Sequence, residues 1–171
     1  MLTLSLLRHA KSSWDDPSIE DFDRPLNERG AEAAPRMGRF LARNAVLPEL
    51  VLCSTSLRTR QTLDLVLPHL QPAPSVAYED AIYLALASVL LQRLRKVAGK
   101  VAHVMIVAHD PGLHQLATEL AGSGDPALLE ALARKFPTGG LAVIDFEAQA
   151  WSKVRAGAGR LRIFVAPKQL P

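Results

Sequence analysis

Leu6-Leu7-Arg8-His9-Ala10 joins an apolar run to a cation and an imidazole near the start of the chain. The run from Leu2 to Leu7 is long enough for a buried strand and contains no charged residue. We therefore expect Arg8 and His9 to lie where this strand leaves the sheet, and in open α/β sheets ligands bind at that edge. A guanidinium can hold a phosphate there with a planar fork of donors, and an imidazole nitrogen can attack phosphorus.

The bulk composition is that of an ordinary globular domain. The 171 residues are most simply one domain over residues 1–171, of which 49% are hydrophobic and 22% are charged. The net charge of +3 suits an anionic small substrate and is too weak to predict binding to nucleic acid. The lone cysteine, Cys53, excludes an internal disulfide and, because it follows an apolar run, is predicted to be a buried thiol.

The sequence predicts neither a signal peptide nor a membrane span. The N-terminus has no basic region, and its apolar run ends at Arg8. No stretch approaches the roughly 20 apolar residues that a membrane helix needs. We therefore expect a cytoplasmic protein that does not bind membranes; nothing in the sequence indicates its oligomeric state.

Strand and helix patterns alternate along the chain, which predicts a layered α/β domain with a mostly parallel sheet. Asn27 is a good N-cap for a helix over 28–44, and Pro35 inside that pattern predicts a kink or a late start. Further strands are predicted at 49–53, 75–78, 101–108, 141–146 and 161–166, and further helices at 58–69, 84–97, 111–122 and 127–135.

Three of the predicted strands end in similar residues. The first gives Arg8 and His9, the second gives Ser54 with Arg58 four residues later, and the third gives His109. If these strands are parallel, their carboxyl ends lie on one edge of the sheet. His109 also precedes a predicted helix, whose free N–H groups favour an anion. The sequence therefore predicts a receptor for a tetrahedral dianion.

A polar stretch over 10–23 follows His9 and carries five carboxylates: Asp15, Asp16, Glu20, Asp21 and Asp23. Carboxylates beside a phosphate site repel the anion, so this stretch is either a solvated loop or a device for contacting a basic partner or gating the site electrostatically. Trp14 in the same stretch either packs against the fold or helps to dock a partner protein.

A metal centre is not predicted. His103 and His109 lie on one predicted strand, but six residues at about 3.3 Å each place them roughly 20 Å apart, too far for bonds near 2 Å to one ion. Ser54 lacks the Gly-x-Ser-x-Gly setting of an esterase, and the chain has no phosphate-binding glycine loop or dinucleotide fingerprint.

The motifs also match a known family. Leu7-Arg8-His9-Ala10 resembles the Arg-His-Gly/Ala signature of the histidine phosphatase superfamily, which includes the cofactor-dependent phosphoglycerate mutases. Residues 54–62 are similar to its second motif and residues 107–112 to its third. Within this superfamily, the chain resembles the small SixA-like branch of phosphohistidine phosphatases in its short length and in residues 8–12 and 24–30. The resemblance implies a three-layer α/β/α fold of the phosphoglycerate mutase type.

The resemblance also implies roles for four residues. His9 is expected to be the nucleophile that forms a transient phosphohistidine, and His109 a second catalytic residue. Arg8 and Arg58 are expected to bind the phosphoryl oxygens, with His109 beside them. The family needs neither a metal nor a cofactor, and the expected partner is a phosphohistidine-bearing protein or a small phosphorylated molecule.

The nature of the substrate depends on a proton donor. Larger relatives that act on phosphate esters carry an acidic residue after the third strand, where Glu79 and Asp80 match only loosely. A phosphohistidine substrate needs no strong acid because its ring is a good leaving group once protonated. We expect a phosphohistidine phosphatase; the alternatives are a small-molecule phosphomonoesterase and a phosphate- or phosphoprotein-binding module without turnover.

Overall fold

A computed structural model describes residues 1–171 of the protein. Seven strands form one sheet in the order β3-β2-β4-β1-β6-β7-β5, and four of the six neighbouring pairs are parallel. Only β6 runs against its neighbours, so the predicted mostly parallel sheet is confirmed. The strands are β1 (Leu2–Arg8), β2 (Leu50–Ser54), β3 (Ser75–Glu79), β4 (His103–Ala108), β5 (Ala121–Gly124), β6 (Leu141–Phe146) and β7 (Gly159–Val165).

Helices cover both faces of the sheet, which confirms the three-layer α/β/α fold. On one face α1 and α2 close a hydrophobic core, and on the other face α3, α4 and α5 close a larger one. None of these helices has the length and apolar content to cross a bilayer. They are α1 (Glu28–Arg43), α2 (Leu57–Val66), α3 (Ala87–Arg95), α4 (Gly112–Leu120) and α5 (Pro126–Arg134), with short 3₁₀ turns at Asp21–Asp23, Leu67–His69, Asp80–Ile82, Trp151–Lys153 and Pro167–Gln169.

Strand β1 lies inside the sheet between β4 and β6, and its leucines fill both cores. Leu4 and Leu6 pack into the core under α3, α4 and α5, whereas Leu7 packs into the core under α1 and α2. This alternation is the two-residue period of a strand that is buried on both faces. The strand therefore has a fixed register, which brings Arg8 to the sheet edge.

Helix α1 begins where the sequence predicts and runs through its internal proline. The Asn27 side chain accepts a hydrogen bond from the Gly30 N–H at 2.9 Å, which confirms the N-cap. The expected late start is wrong, because the helix is continuous from Glu28 past Pro35. Burial of side chains such as Met37 stabilises the helix and offsets the hydrogen bond that proline removes.

The start of one helix and the presence of one strand differ from the sequence prediction. Helix α3 begins at Ala87 rather than near residue 84, because Leu84 has a φ of 50° and cannot belong to a right-handed helix. Strand β5 was not predicted at all, since its sequence, Ala121–Gly124, has no β-branched or aromatic residue. Its pairing with β7 supplies the hydrogen bonds that define it.

The start of α1 is braced against the chain just after His9. The main-chain N–H of Asn27 donates to the carbonyl of Lys11 at 2.9 Å. A Cβ atom on Gly30 would lie only 2.1 Å from that same carbonyl oxygen. Only glycine fits at this contact, so Gly30 sets how closely α1 approaches the segment that follows the strand.

We expect Gly30→Ala to destabilise the protein by about 1–3 kcal/mol, because backbone must move to admit the methyl group. Gly99→Ala is the matched control, since nothing lies within 4 Å of its added Cβ, and it should change stability by less than about 0.5 kcal/mol. Urea unfolding measures both free energies. Equal values for the two variants would contradict the close contact.

Candidate active site

The carboxyl ends of β1, β2 and β4 meet, as the sequence predicts. His9 follows β1, Arg58 lies in the first turn of the helix after β2, and His109 follows β4. The Arg58 Nε lies 3.4 Å from His9 Nε2, and Arg58 Nη2 lies 3.3 Å from His109 Nδ1. All three side chains are buried, with 6%, 4% and 3% of their surface exposed for His9, Arg58 and His109 respectively.

Arg8 completes the group of four predicted residues. Its Nη1 donates to the main-chain carbonyl of Phe136 at 2.8 Å, while its Nε is buried and has no hydrogen-bond partner. The four residues open onto one cavity of about 450 Å³. Its lining residues are Arg8, His9, Lys11, Ser12, Trp14, Asp21, Arg24, Arg58, Leu84, His109, Asp110, Lys135, Pro137 and Thr138.

The hydrogen bonds of His9 determine which of its nitrogens carries the proton. His9 Nδ1 lies 2.7 Å from the carbonyl oxygen of Ala10, which can only accept, so Nδ1 carries the hydrogen. In the neutral ring Nε2 then holds a lone pair, and it accepts from Arg58 Nε. The nitrogen that faces the buried guanidinium is therefore the one with a lone pair.

The backbone around His9 is held from three sides. The His9 N–H donates to the carbonyl of Ala108 at 3.2 Å, and the N–H of Gly139 donates to the carbonyl of His9 at 2.8 Å. The next N–H, of Ala10, donates to the Thr62 hydroxyl on α2 at 2.9 Å. One strand, a turn and a helix thus hold the backbone at His9 without using the Nε2 atom of its ring.

His109 adopts the opposite tautomer. Its Nδ1 faces Arg58 Nη2, and because a guanidinium only donates, Nδ1 accepts that bond. Its Nε2–H then donates to the Ser54 hydroxyl at 2.8 Å. Ser54, at the end of β2, therefore orients the second histidine, a role that the sequence did not reveal.

Burial keeps both imidazoles neutral. Burial lowers the pKa of His9 to about 4, and the charges of Arg58 and Arg8 act in the same direction against the hydrogen bond to Ala10. Burial lowers the pKa of His109 to about 3, with His9 and Arg58 adding to the effect. A low-dielectric site that already holds guanidinium charge disfavours a further cation, and this agrees with the tautomers above.

Asp21 is the one member of the acidic stretch that enters the site. Its carboxylate accepts from Arg58 Nη2 at 3.0 Å and from the Tyr83 hydroxyl, and it pairs with Arg24. Arg58 Nη1 also donates to the main-chain carbonyl of Asp21 at 2.6 Å. Burial raises the pKa of Asp21, but the bonds from Tyr83 and Arg58 and the charges of Arg58 and Arg24 outweigh it and lower the pKa overall.

Trp14 lies at the mouth of the cavity with 74% of its surface exposed. The Arg24 guanidinium stacks 3.2 Å above the centre of its ring, a cation–π contact that fixes the ring. Trp14 therefore packs against Arg24 on one face and presents the other to solvent; a role in docking a partner stays a prediction.

The carboxylates predicted as possible proton donors are engaged elsewhere. Glu79 makes bonds of 2.7 and 2.8 Å to the Arg93 guanidinium, and Asp80 accepts from the Thr55 hydroxyl at 2.6 Å. Neither residue lines the cavity. The carboxylates that do line it are Asp21 and Asp110, and the Oδ1 atom of Asp110 is buried without a hydrogen-bond partner.

The other histidine and cysteine candidates have structural roles. His103 hydrogen-bonds Ser5 at 2.8 Å at the far end of the sheet. Cys53 is fully buried in β2, and burial raises its pKa to about 12. No group of three or more histidine, cysteine or acidic side chains is arranged to hold a metal ion.

Imidazole NMR tests this description of the two histidines. We expect His9 to show a protonated Nδ1, His109 a protonated Nε2, and neither ring to titrate between pH 5 and 8. The control is the urea-unfolded chain, where histidines titrate near 6.5. Because the pKa values are lower in the folded state, unfolding takes up protons and stability should fall as the pH drops from about 6.5 to 4. A midpoint near 6.5 for folded His9 would contradict the assignment.

Comparisons with known proteins agree with this geometry. Residues 4–82 match the model of the histidine phosphatase superfamily (branch 1). An uncharacterized protein of Mycobacterium tuberculosis is 37% identical over 164 residues, which cover 95% of this chain and 100% of that protein.

Two solved structures share the whole fold. A candidate phosphohistidine phosphatase SixA from Agrobacterium tumefaciens is 34% identical, with a TM-score of 0.82 over 97% of this chain and 98% of that one. A second candidate SixA, from Nakamurella multipartitia, is 29% identical, with a TM-score of 0.84 over 97% of this chain and 96% of that one. With its motifs, its fold and these relatives in agreement, the chain belongs to the histidine phosphatase superfamily.

Proposed function

We propose that this protein is a metal-independent phosphatase that removes the phosphoryl group from phosphohistidine in a partner protein, through a transient phosphohistidine on His9. The observation that carries the proposal is the His9 tautomer. Its Nδ1–H is tied to the Ala10 carbonyl, so its Nε2 lone pair is available beside a buried guanidinium. The resemblance of the chain to candidate SixA proteins supports the same substrate class.

In the first step, the Nε2 lone pair of His9 forms a bond to phosphorus and the P–N bond of the substrate breaks. The substrate ring is protonated on its other nitrogen, so it takes the electron pair and leaves as neutral imidazole. His9 keeps its Nδ1 hydrogen on the Ala10 carbonyl and becomes a phosphorylated imidazolium. In the second step, the oxygen of water bonds to phosphorus, the P–Nε2 bond breaks, and the electron pair returns to Nε2. The water proton leaves with phosphate or solvent.

The two arginines supply the charge that this transfer needs. Guanidinium groups stabilise the phosphoryl oxygens by paired N–H bonds. Arg8 lines the cavity, and its buried Nε–H has no partner within the protein. Arg58 donates to both imidazoles and so also sets their orientation. A dianion beside His109 would raise the pKa of that ring and favour a hydrogen on its Nδ1, which would then donate to phosphate.

The placement of the carboxylates supports a phosphoramidate substrate. Cleavage of a phosphate ester releases an alkoxide and needs a proton donor. Glu79 and Asp80 lie outside the cavity, and Asp21 is held as an anion by Arg58 and Arg24. A substrate that leaves as imidazole requires none of them.

One observation favours a second function, the hydrolysis of small phosphate esters. Asp110 lines the cavity with a side chain that is 35% exposed, while its buried Oδ1 atom lies 3.9 Å from His114 Nδ1 and has no hydrogen bond. A protonated Asp110 would be able to donate to the oxygen of a departing alcohol. Ester hydrolysis by this route would use the same nucleophile and the same arginines.

The first test is His9→Ala, assayed side by side on a phosphohistidine peptide and on p-nitrophenyl phosphate. We expect loss of turnover by about three orders of magnitude or more on whichever substrate is used, with the thermal unfolding midpoint nearly unchanged. His69→Ala, which removes a half-buried histidine outside the cavity, is the control. Unfolding of His9→Ala would instead indicate a structural histidine.

Mass spectrometry of the quenched wild-type reaction should show a phosphoryl adduct on His9. Fast phosphohistidine turnover with feeble ester turnover supports the proposal, and the reverse supports the esterase. Turnover of neither substrate would leave the binding module as the better description.

A chelator should leave the rate of phosphohistidine turnover unchanged. Inhibition by the chelator that added metal reverses would contradict the mechanism.

Asp110→Asn separates the two catalytic candidates. If the protein acts on phosphohistidine as proposed, the variant should keep the phosphohistidine rate within about threefold, because no proton is required of residue 110. An ester rate that falls about tenfold or more, while the phosphohistidine rate is retained, would assign Asp110 to a side activity. Loss of the phosphohistidine rate would contradict the proposed proton balance. A cytoplasmic location stays a prediction of the sequence.

A further inference from the structure

A second cavity of about 390 Å³ adjoins the catalytic one and shares four of its wall residues. We call it the basic groove. It runs between the start of α1 and the segment after β7, both of which reach the sheet edge where His9 lies. Its charged residues are Lys11, Arg29, Arg36, Lys135 and Lys168, with the single carboxylate Glu32.

The charge of the basic groove is not neutralised within the protein. None of its five cations takes part in a salt bridge. Arg36 donates to the main-chain carbonyls of Pro167 and Leu170 at 3.2 and 2.9 Å, which shapes the wall. The other four cations are exposed lining residues and have no side-chain hydrogen bond, so their charge is available to a bound molecule.

The opposite side of the catalytic mouth carries the opposite charge. Asp21 contacts Arg58 and Tyr83, which follow β2 and β3, whereas the groove lies next to β6 and β7 on the other side of β1. The other carboxylates of the loop over residues 15–23 are exposed. A molecule whose phosphoryl group enters the cavity therefore meets positive charge on one side and negative charge on the other. Such a field orients a charged partner and speeds its association.

The arrangement of the cations fits an extended acidic chain better than a second phosphate. A phosphate subsite gathers buried donors on one point, as Arg8 and Arg58 do in the catalytic cavity. In the basic groove the side chains of Lys11, Lys135 and Lys168 are exposed and lie along the wall. Flexible, hydrated ammonium groups of this kind match carboxylates spaced along a polypeptide.

We propose that the basic groove binds an acidic segment of the substrate protein on one side only of the phosphohistidine. This rests on the proposed function, since the phosphohistidine is what enters the catalytic cavity. Carboxylates on the other side of the histidine would meet the acidic loop and be repelled. The groove would thereby select both the partner and the direction in which its chain lies.

The test uses three fluorescein-labelled peptides that carry one unphosphorylated histidine each. The first has four glutamates on the N-terminal side of the histidine, and the second has four glutamates on its C-terminal side. In the third, glutamines replace the glutamates. Fluorescence anisotropy at low and high salt gives the dissociation constants. We expect only one of the two glutamate peptides to bind the wild type about tenfold or more tightly than the glutamine peptide, with the difference lost at high salt.

The variant R29E/K168E should abolish that preference. The matched control is K153E/R155E, which makes the same charge change at two exposed residues in the loop between β6 and β7, at the opposite edge of the sheet. Equal binding of all three peptides to wild type, or equal loss in both double variants, would overturn the proposal. Tighter binding of tripolyphosphate than of either glutamate peptide would overturn it in favour of a small polyanion.

Turnover of the phosphorylated peptides separates this proposal from the proposed function. We expect R29E/K168E to raise KM about tenfold for the favoured glutamate peptide, while turnover of phosphoramidate, which cannot reach the groove, is unchanged. Turnover of all phosphohistidine peptides without any preference overturns the groove and leaves the proposed function standing. Selective peptide binding without phosphohistidine turnover overturns the proposed function, and with it the assignment of the groove to a phosphohistidine protein.

Discussion

The site depends on one buried guanidinium placed between two imidazoles. Arg58 is 4% exposed and lies within hydrogen-bond distance of both His9 and His109. Arginine does not give up its proton in proteins, so the buried charge of Arg58 needs acceptors around it. Asp21 accepts hydrogen bonds from Arg58 through its carboxylate and its main-chain carbonyl, and both histidines accept through a ring nitrogen. A second positive charge on either ring is disfavoured there, so both rings are neutral. Because Arg58 only donates, the nitrogen that faces it in each ring carries the lone pair.

The sheet makes that arrangement possible. Strands β2, β4 and β1 are adjacent and parallel, so the residues that follow them lie next to one another at one edge of the sheet. The ring of His9 is then positioned by its own backbone, because β4, the turn at Gly139 and the Thr62 hydroxyl on α2 each bind a main-chain group beside it. The Nε2 atom of His9 is left free of hydrogen bonds other than that from Arg58.

The parts of this site that the sequence predicts are those with a strong local pattern. Apolar runs that stop at Arg8, Ser54 and His109 mark strand ends, and parallel strands carry their ends to one edge. Asp21 could not be singled out, because five carboxylates in one polar stretch look alike and its contacts are with residues 37 and 62 positions away. Strand β5 and the left-handed Leu84 were missed for the same reason, since tertiary contacts rather than local propensity determine them.

The placement of protons in the cavity favours one kind of substrate. His9 and His109 present lone pairs to Arg58 and direct their hydrogens away from it, to Ala10 and Ser54. Asp21 is held as an anion among donors. Such a site suits a leaving group that already carries a proton, whereas an alkoxide would need to take a proton from Asp110. A protonated phosphohistidine brings that proton on its ring, so the burial that keeps His9 neutral is compatible with the substrate that we propose.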